Sequence, residues 1–130
     1  MMRFVLAAAV AALVAAGPAV AADHTADSLD TVKKAVAAGT AVLVDVREPD
    51  EWRDGHLKAA RHLALSDLKA GVPADRLKEA IPAGKVVYLH CASGRRCLAA
   101  ADLLKKQGYD ARALKDGYEA LLAAGFEKAK

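Results

Sequence analysis

The 130-residue sequence has no strong excess of either charge and contains only two cysteines. Basic and acidic residues are interspersed and give a formal net charge of +3, so the chain lacks the continuous basic surface that binds nucleic acid. The cysteines, Cys91 and Cys97, enclose five residues, and a disulfide that closes so short a loop adds little stability. The spacing therefore favours a chemical role for at least one cysteine over a structural bridge.

A metal-ligand pattern, a membrane-spanning segment and a second domain are also missing. No pair among the four histidines and two cysteines has the spacing that is usual in zinc sites. The apolar run at residues 4–16 is shorter than the roughly 20 residues that span a bilayer. No repeat or low-complexity linker divides the chain. We therefore expect one domain that uses no metal and no other cofactor, and that has no nucleic-acid partner.

The first 22 residues are typical of a secretory signal peptide. Arg3 supplies a short positively charged region, residues 4–16 form the apolar region, and residues 19–21 offer a small-x-small cleavage pattern. These features predict export followed by cleavage. The mature domain would then comprise residues 23–130, without stable membrane association.

Apolar runs alternate with helical patterns along the remaining chain. Residues 41–46 and 85–90 are continuous apolar runs that close on polar residues, as expected of strands buried on both faces. Shorter strands are expected near residues 61–65 and 109–114, with helical segments between the strands. This alternation predicts an α/β domain with a mostly parallel central sheet of about five strands and helices on both faces.

The segment that follows the strand at residues 85–90 holds the strongest chemical signal. Its first residue is Cys91, and the strand should deliver this side chain to the sheet edge where α/β folds bind ligands. A helix that begins just after the loop directs unpaired N–H groups and a positive dipole end toward Cys91. Because both effects lower the pKa of a thiol, Cys91 is the candidate nucleophile.

The rest of this loop is suited to an anionic ligand. It consists of three small residues and two arginines, namely Ala92, Ser93, Gly94, Arg95 and Arg96. Backbone N–H groups of successive small residues can converge on an anion, and guanidinium groups bind oxyanions such as sulfonates. We therefore expect a locally cationic site in a nearly neutral domain, with these residues binding the substrate.

Three segments in this order resemble one known family. They are residues 44–52 with the Gly55-His56-Leu57 turn, the loop from Cys91 to Arg96, and residues 116–120. Together they cover nearly the whole mature chain, and they resemble a single-domain rhodanese, a thiosulfate sulfurtransferase. With its signal peptide, the chain is similar to the periplasmic phage-shock-type members of this family, which implies a periplasmic location.

The resemblance implies a reaction in two halves. Cys91 would attack the outer sulfur of thiosulfate or a related donor, release sulfite and hold the sulfur as a persulfide, which cyanide or a thiol acceptor then removes. The loop N–H groups would stabilise the charge of the persulfide. Arg96 matches the family's residue at the end of the loop, and Arg95 would add positive field for a dianionic donor. We expect a monomer.

Loop length separates this reaction from its alternatives. Phosphatases and arsenate reductases of related architecture have five residues between the cysteine and the anion-binding arginine, whereas four separate Cys91 from Arg96. The shorter loop suits a single sulfur atom better than a phosphoryl group. Cys97 leaves two interpretations open. It is either a buried helix residue or a thiol that resolves the persulfide as a Cys91–Cys97 disulfide in a sulfur-carrier or redox-sensing module.

Several polar and aromatic residues near the strand ends need separate interpretation. Asp45 and Arg47 are expected to form a buried ion pair that holds the loops. Arg47 and Cys97 are nevertheless included among the candidate substrate-binding residues. His90 should point to the face opposite Cys91, because side chains alternate along a strand, and it is a poor candidate for a general base. Trp52 is expected to be a core anchor.

Overall fold

Four parallel strands form the central sheet of the protein, for which a computed structural model describes residues 23–130. The strands are β1 (Ala41–Asp45), β2 (Ala60–His62), β3 (Val86–His90) and β4 (Asp110–Ala113), in the spatial order β2-β1-β3-β4. Every neighbouring pair is parallel. The predicted α/β class with a parallel sheet is therefore confirmed, whereas the predicted signal peptide lies outside the described residues.

Helices cover both faces of this sheet. They are α1 (Leu29–Ala38), α2 (Pro49–Asp54), α3 (Leu65–Ala70), α4 (Ala74–Ala80), α5 (Arg96–Lys106) and α6 (Tyr118–Ala123). The longest, α5, begins directly after the loop that starts at Cys91. No helix within residues 23–130 is long and apolar enough to cross a membrane.

A single bridge lies at the sheet edge where a fifth strand would fit. His24 pairs with Ala113 in parallel, and the Thr25 N–H donates to the Ala113 carbonyl oxygen at 2.8 Å. The chain then turns into α1, because the Ser28 side chain accepts the Thr31 N–H at 3.1 Å and caps that helix. The described residues thus give a sheet of four strands with this bridge at its β4 edge, in agreement with the predicted sheet of about five strands.

The two faces of the sheet pack against different helices. Side chains alternate along a strand, so Val42 and Val44 of β1 face one core and Leu43 faces the other. The first core includes apolar side chains of α3, α4 and α5, and Cys91 and Cys97 belong to it. The second core includes α1 and α6. Burial of β1 and β3 on both faces fixes the carboxyl ends of these strands, where the loops begin.

Leu43 offers a test of this packing, because its side chain is fully buried in the second core. Leu43→Ala should lower the free energy of unfolding by about 2–5 kcal/mol, since it removes buried surface and leaves a cavity. Leu122→Ala is the matched control, because Leu122 is only partly buried against the same core. Urea denaturation measures both, and equal losses would contradict the assignment of Leu43 to the core.

Candidate active site

Cys91 lies at the carboxyl end of β3 and is fully buried. The Gly94 N–H donates to its Sγ at 3.1 Å. The hydrogen bond from the Cys97 side chain, followed by backbone N–H groups of Cys97, Ser93 and Gly94, lowers the pKa of Cys91 to about 5 although burial opposes this. The sulfur is therefore a thiolate at neutral pH, held mainly by hydrogen bonds.

The loop keeps this shape because two glycines allow close packing against the segment at residues 114–118. Gly94 has φ +85°, and a Cβ there would lie 2.5 Å from the Lys115 carbonyl oxygen. A Cβ on Gly117 would lie only 1.7 Å from the Ala92 carbonyl oxygen. A side chain at either position would push the loop away from this segment. The close approach explains why the third family-like segment accompanies the cysteine loop.

Cys97 lies in the first turn of α5 and is fully buried. Its Sγ lies 3.2 Å from the carbonyl oxygens of both Gly94 and Leu114, so its single S–H hydrogen has these two oxygens and the Cys91 sulfur as alternative acceptors. The hydrogen bond to Cys91, and then burial, raise the pKa of Cys97 well above its usual range. Cys97 is thus a neutral donor within the core. These contacts favour the first of its two interpretations, and they place Cys97 away from solvent rather than at the mouth of the loop.

Ala92, Ser93 and Arg95 form the exposed side of the loop. Among residues 23–130, no carboxylate forms an ion pair with Arg95. Its charge is therefore available to an anion that approaches the loop. The role of Arg95 toward a dianionic donor stays a prediction.

Arg96 is held by a carboxylate that the sequence analysis did not identify. Its Nη1 and Nη2 donate to Glu51 Oε1 and Oε2 at 2.5 and 2.8 Å. This pair lowers the pKa of Glu51 to about 2, mainly through the Arg96 hydrogen bond. Glu51 also accepts the Glu48 N–H at 3.1 Å in the capping box of α2. Arg96 thus fastens the end of the loop to α2, and its charge is largely neutralised there.

Asp45 and Arg47 form the predicted buried ion pair. Arg47 Nε lies 3.0 and 3.1 Å from the two carboxylate oxygens of Asp45, and Arg47 Nη2 lies 2.9 Å from Oδ2. Nη2 also donates to the Gly55 carbonyl oxygen at 2.7 Å, and the guanidinium stacks on the Tyr118 ring at 4.1 Å. Arg47 is only 5% exposed. Arg47 therefore connects the loops after β1 and α2, and its Nε and Nη2 groups are not free to bind a substrate.

His90 is fully buried, with Nε2 at 3.8 Å from Asp45 Oδ2. Neither ring nitrogen has a hydrogen-bond partner among the described residues. Burial lowers the pKa of His90, so the ring stays neutral. Asp45 pairs with His90 in the sheet register, and Cys91 belongs to the first core. His90 therefore lies buried beside the Asp45–Arg47 ion pair, and its position does not indicate a general base for Cys91.

Trp52 is not the core anchor that the sequence suggested. It is half-buried and stacks on two histidines, with ring centroids 3.5 Å from His56 and 4.8 Å from His62. His56 and His62 are in turn held by backbone oxygens. In the described part of the chain, no cluster of three or more His, Cys, Asp or Glu side chains could hold a metal ion.

Known proteins are similar to this chain in sequence and in fold. A family model described as "Rhodanese-like domain" matches residues 28–124. The chain is similar to the "Putative thiosulfate sulfurtransferase, mitochondrial" of Schizosaccharomyces pombe, with 30% identity over 59% of each protein. It is 32% identical to the "Putative sulfur carrier protein YrkF" of Bacillus subtilis, over 63% of this chain and 42% of that protein. The chain spans about half the length of the curated relatives it matches.

One solved structure with a similar fold is the human single-domain sulfurtransferase TSTD1. The two structures superpose with a TM-score of 0.62 at 26% sequence identity. The match covers 75% of this chain and 94% of the human chain. The fold is therefore that of a single-domain sulfurtransferase.

The hydrogen bond between the two cysteines gives a test of the thiolate. The thiolate is the reactive form, so the rate of Cys91 alkylation should rise as pH increases through about 5 and then level off. Cys97→Ala removes the largest stabilising contact, so the midpoint should move up by about one unit. Cys97→Ser keeps a donor and should shift it less. An unchanged midpoint in Cys97→Ala would contradict this role of Cys97.

The Asp45–Arg47 pair gives a test of stability. Asp45→Asn leaves the buried Arg47 charge without a counterion, so it should destabilise the fold by about 3–5 kcal/mol. The control is Asp50→Asn, because the Asp50–Arg53 pair is exposed and should contribute little. Thermal and urea unfolding measure both variants. A loss in Asp45→Asn no larger than in Asp50→Asn would show that the buried pair does not hold the loops.

Proposed function

The chain belongs to the rhodanese-like family, and on that premise we propose that it transfers the sulfane sulfur of thiosulfate to a thiophilic acceptor through a persulfide on Cys91. The observation that carries the proposal is the buried Cys91 sulfur at the carboxyl end of β3, to which the Gly94 N–H donates at 3.1 Å. A thiolate that accepts hydrogen bonds from fixed N–H donors is a nucleophile. The same donors can stabilise the negative charge of its product, a persulfide anion.

In the first half-reaction, Cys91 Sγ attacks the outer sulfur of thiosulfate. A Cys91–S–S bond forms, the S–S bond of thiosulfate breaks, and its electron pair leaves with sulfite. The exposed Arg95 attracts the dianionic donor toward the loop. The N–H groups of Ser93 and Gly94 stabilise the negative charge as it moves onto the transferred sulfur. No proton is needed, because Cys91 is already ionised.

In the second half-reaction, the acceptor attacks the terminal sulfur of the persulfide. Cyanide or a thiolate forms a bond to that sulfur, and Cys91 leaves as a thiolate. The low pKa of Cys91, about 5, makes it a good leaving group. The same hydrogen bonds therefore assist both halves of the reaction, and the enzyme returns to its starting state.

The position of Arg96 supports sulfur transfer over phosphoryl or arsenate chemistry. An arginine that binds a phosphoryl group must present its fork to the loop. In this protein both terminal nitrogens of Arg96 are bonded to Glu51. Together with the four-residue spacing from Cys91, this contact ranks phosphatase and arsenate reductase activity below sulfur transfer.

A sulfur-carrier or redox-sensing role is the second candidate. It is favoured by the hydrogen bond from Cys97 to Cys91, neither of which is in a disulfide. In this version Cys97 attacks Cys91 Sγ of the persulfide, hydrosulfide leaves with the Cys97 proton, and a Cys91–Cys97 disulfide remains. The raised pKa of Cys97 opposes that attack. The single-cysteine route therefore ranks first.

We also propose that residues 1–22 direct the protein to the periplasm, where it would act as a monomer on small sulfur compounds. The support is the signal-like pattern of Arg3, the apolar run and the small-x-small motif. Intact mass of protein from a periplasmic fraction tests this proposal. A full-length mass in that fraction, or absence of the protein from it, would contradict cleavage and export.

Mass spectrometry after thiosulfate treatment tests the proposed reaction. The protein should gain about 32 Da, the mass of one sulfur, on the peptide that contains Cys91. Cys91→Ser should carry no adduct and should form no thiocyanate with cyanide, whereas Cys97→Ser should still carry one. A disulfide between the cysteines instead of the adduct would favour the second candidate. No change in mass on Cys91 would overturn the proposal.

A further inference from the structure

Gly94 is restrained on both sides of its Cα atom. Its N–H donates to Cys91 Sγ at 3.1 Å. Its carbonyl oxygen lies 3.2 Å from Cys97 Sγ and 2.6 Å from His24 Nε2. Glycine has a wider range of backbone conformations than other residues, so contacts of the carbonyl add to the packing against Lys115 in keeping the N–H directed at the sulfur.

His24 reaches this loop from a position 70 residues earlier in the chain. Its backbone is placed by the parallel bridge to Ala113 at the end of β4. Three residues later, Asp27 accepts hydrogen bonds from Tyr88 at 2.7 Å and from Arg112 at 2.8 Å. The segment is therefore bound to β3 and β4 by hydrogen bonds that do not involve the His24 side chain. The imidazole is delivered to the carboxyl edge of the sheet, where Cys91 lies.

The donor in the hydrogen bond between His24 and Gly94 follows from the chemistry of the two groups. A carbonyl oxygen only accepts hydrogen bonds, so His24 must carry hydrogen on Nε2. The side chain of His24 is exposed, so the contact adds little to the core. Its effect falls on the orientation of Gly94 and, through it, on the sulfur.

We propose that His24 is a positioning residue that holds Gly94 so that its N–H stays on the Cys91 sulfur. His24 does not touch the reacting atoms and acts through the Gly94 carbonyl. The catalytic part of this inference rests on the proposed function, whereas the part that concerns the Cys91 thiolate does not.

The test compares His24→Ala, His24→Gln and Thr25→Ala in the full chain. Glutamine can still donate an amide N–H to the carbonyl, so His24→Gln is the conservative variant. Thr25→Ala removes a side-chain hydrogen bond to the Asp27 N–H in the same segment without touching Gly94, so it is the control. The pH dependence of Cys91 alkylation by iodoacetamide is followed by peptide mapping. Trypsin separates the two cysteines by cleaving after Arg95 and Arg96.

His24→Ala should raise the midpoint of the alkylation profile by about half a unit to one unit, because a weaker Gly94 contact destabilises the thiolate. It should also lower kcat/KM for thiosulfate by about three- to tenfold. His24→Gln should recover at least half of each effect, and Thr25→Ala should match the unmodified protein. The thermal midpoint of unfolding should change little in all three variants, because His24 is exposed.

The inference is overturned if His24→Ala has the alkylation profile of the unmodified protein. It is also overturned if His24→Gln is as impaired as His24→Ala, since the histidine would then act by something other than hydrogen-bond donation. If the unmodified protein transfers no sulfur, the proposed function fails. The alkylation comparison still decides the role of His24 in that case, because it uses no sulfur donor.

Discussion

A buried thiolate at the end of β3 is the constraint on which the rest of the site depends. A charge in the interior is costly unless donors surround it, and Cys91 is fully buried. The donors are the Cys97 thiol and backbone N–H groups of the loop and of the first turn of α5. These donors are fixed by backbone geometry, so the site is organised before any substrate arrives. The positive φ of Gly94 and the lack of a side chain on Gly117 follow from the same requirement.

The three arginines near the site differ in their contacts and therefore in their roles. Arg47 is buried on Asp45, and Arg96 is held by Glu51, so both connect loops rather than face a ligand. Arg95 alone of these three is exposed. The thiolate is thus stabilised by hydrogen bonds, and the Arg95 cation is exposed to solvent at the loop; in the proposed reaction this charge attracts the donor. This division fits a reaction in which charge moves only one sulfur atom outward from Cys91.

Local patterns in the sequence were sufficient to predict the sheet and to place Cys91 at the carboxyl end of β3. Continuous apolar runs marked β1 and β3, and the small residues after β3 marked Cys91 as the candidate. Strand alternation also placed His90 away from the thiol. Contacts between distant segments could not be predicted in this way. Glu51 lies 45 residues from Arg96, and no periodic pattern connects the two.

Trp52 shows a related limit of sequence-based prediction. Its large apolar side chain predicted a place in the core, but it is only half-buried. Two neighbouring histidines instead cover its ring, and their positions depend on the loop geometry between α2 and β2. The His24–Ala113 bridge at the β4 edge was likewise not predicted, because it joins two segments that lie far apart in the sequence. Both features depend on tertiary context at element ends, where hydrophobic periodicity carries little information.

Sulfite release in the absence of an acceptor tests the central claim most directly, namely that Cys91 alone takes up the sulfur. After rapid mixing with excess thiosulfate, the protein should release one sulfite per chain and then stop, because without an acceptor the persulfide persists and Cys91 cannot react again. Cys97→Ser should give the same amount. Sulfite release that continues without an acceptor, or that never occurs, would contradict the account.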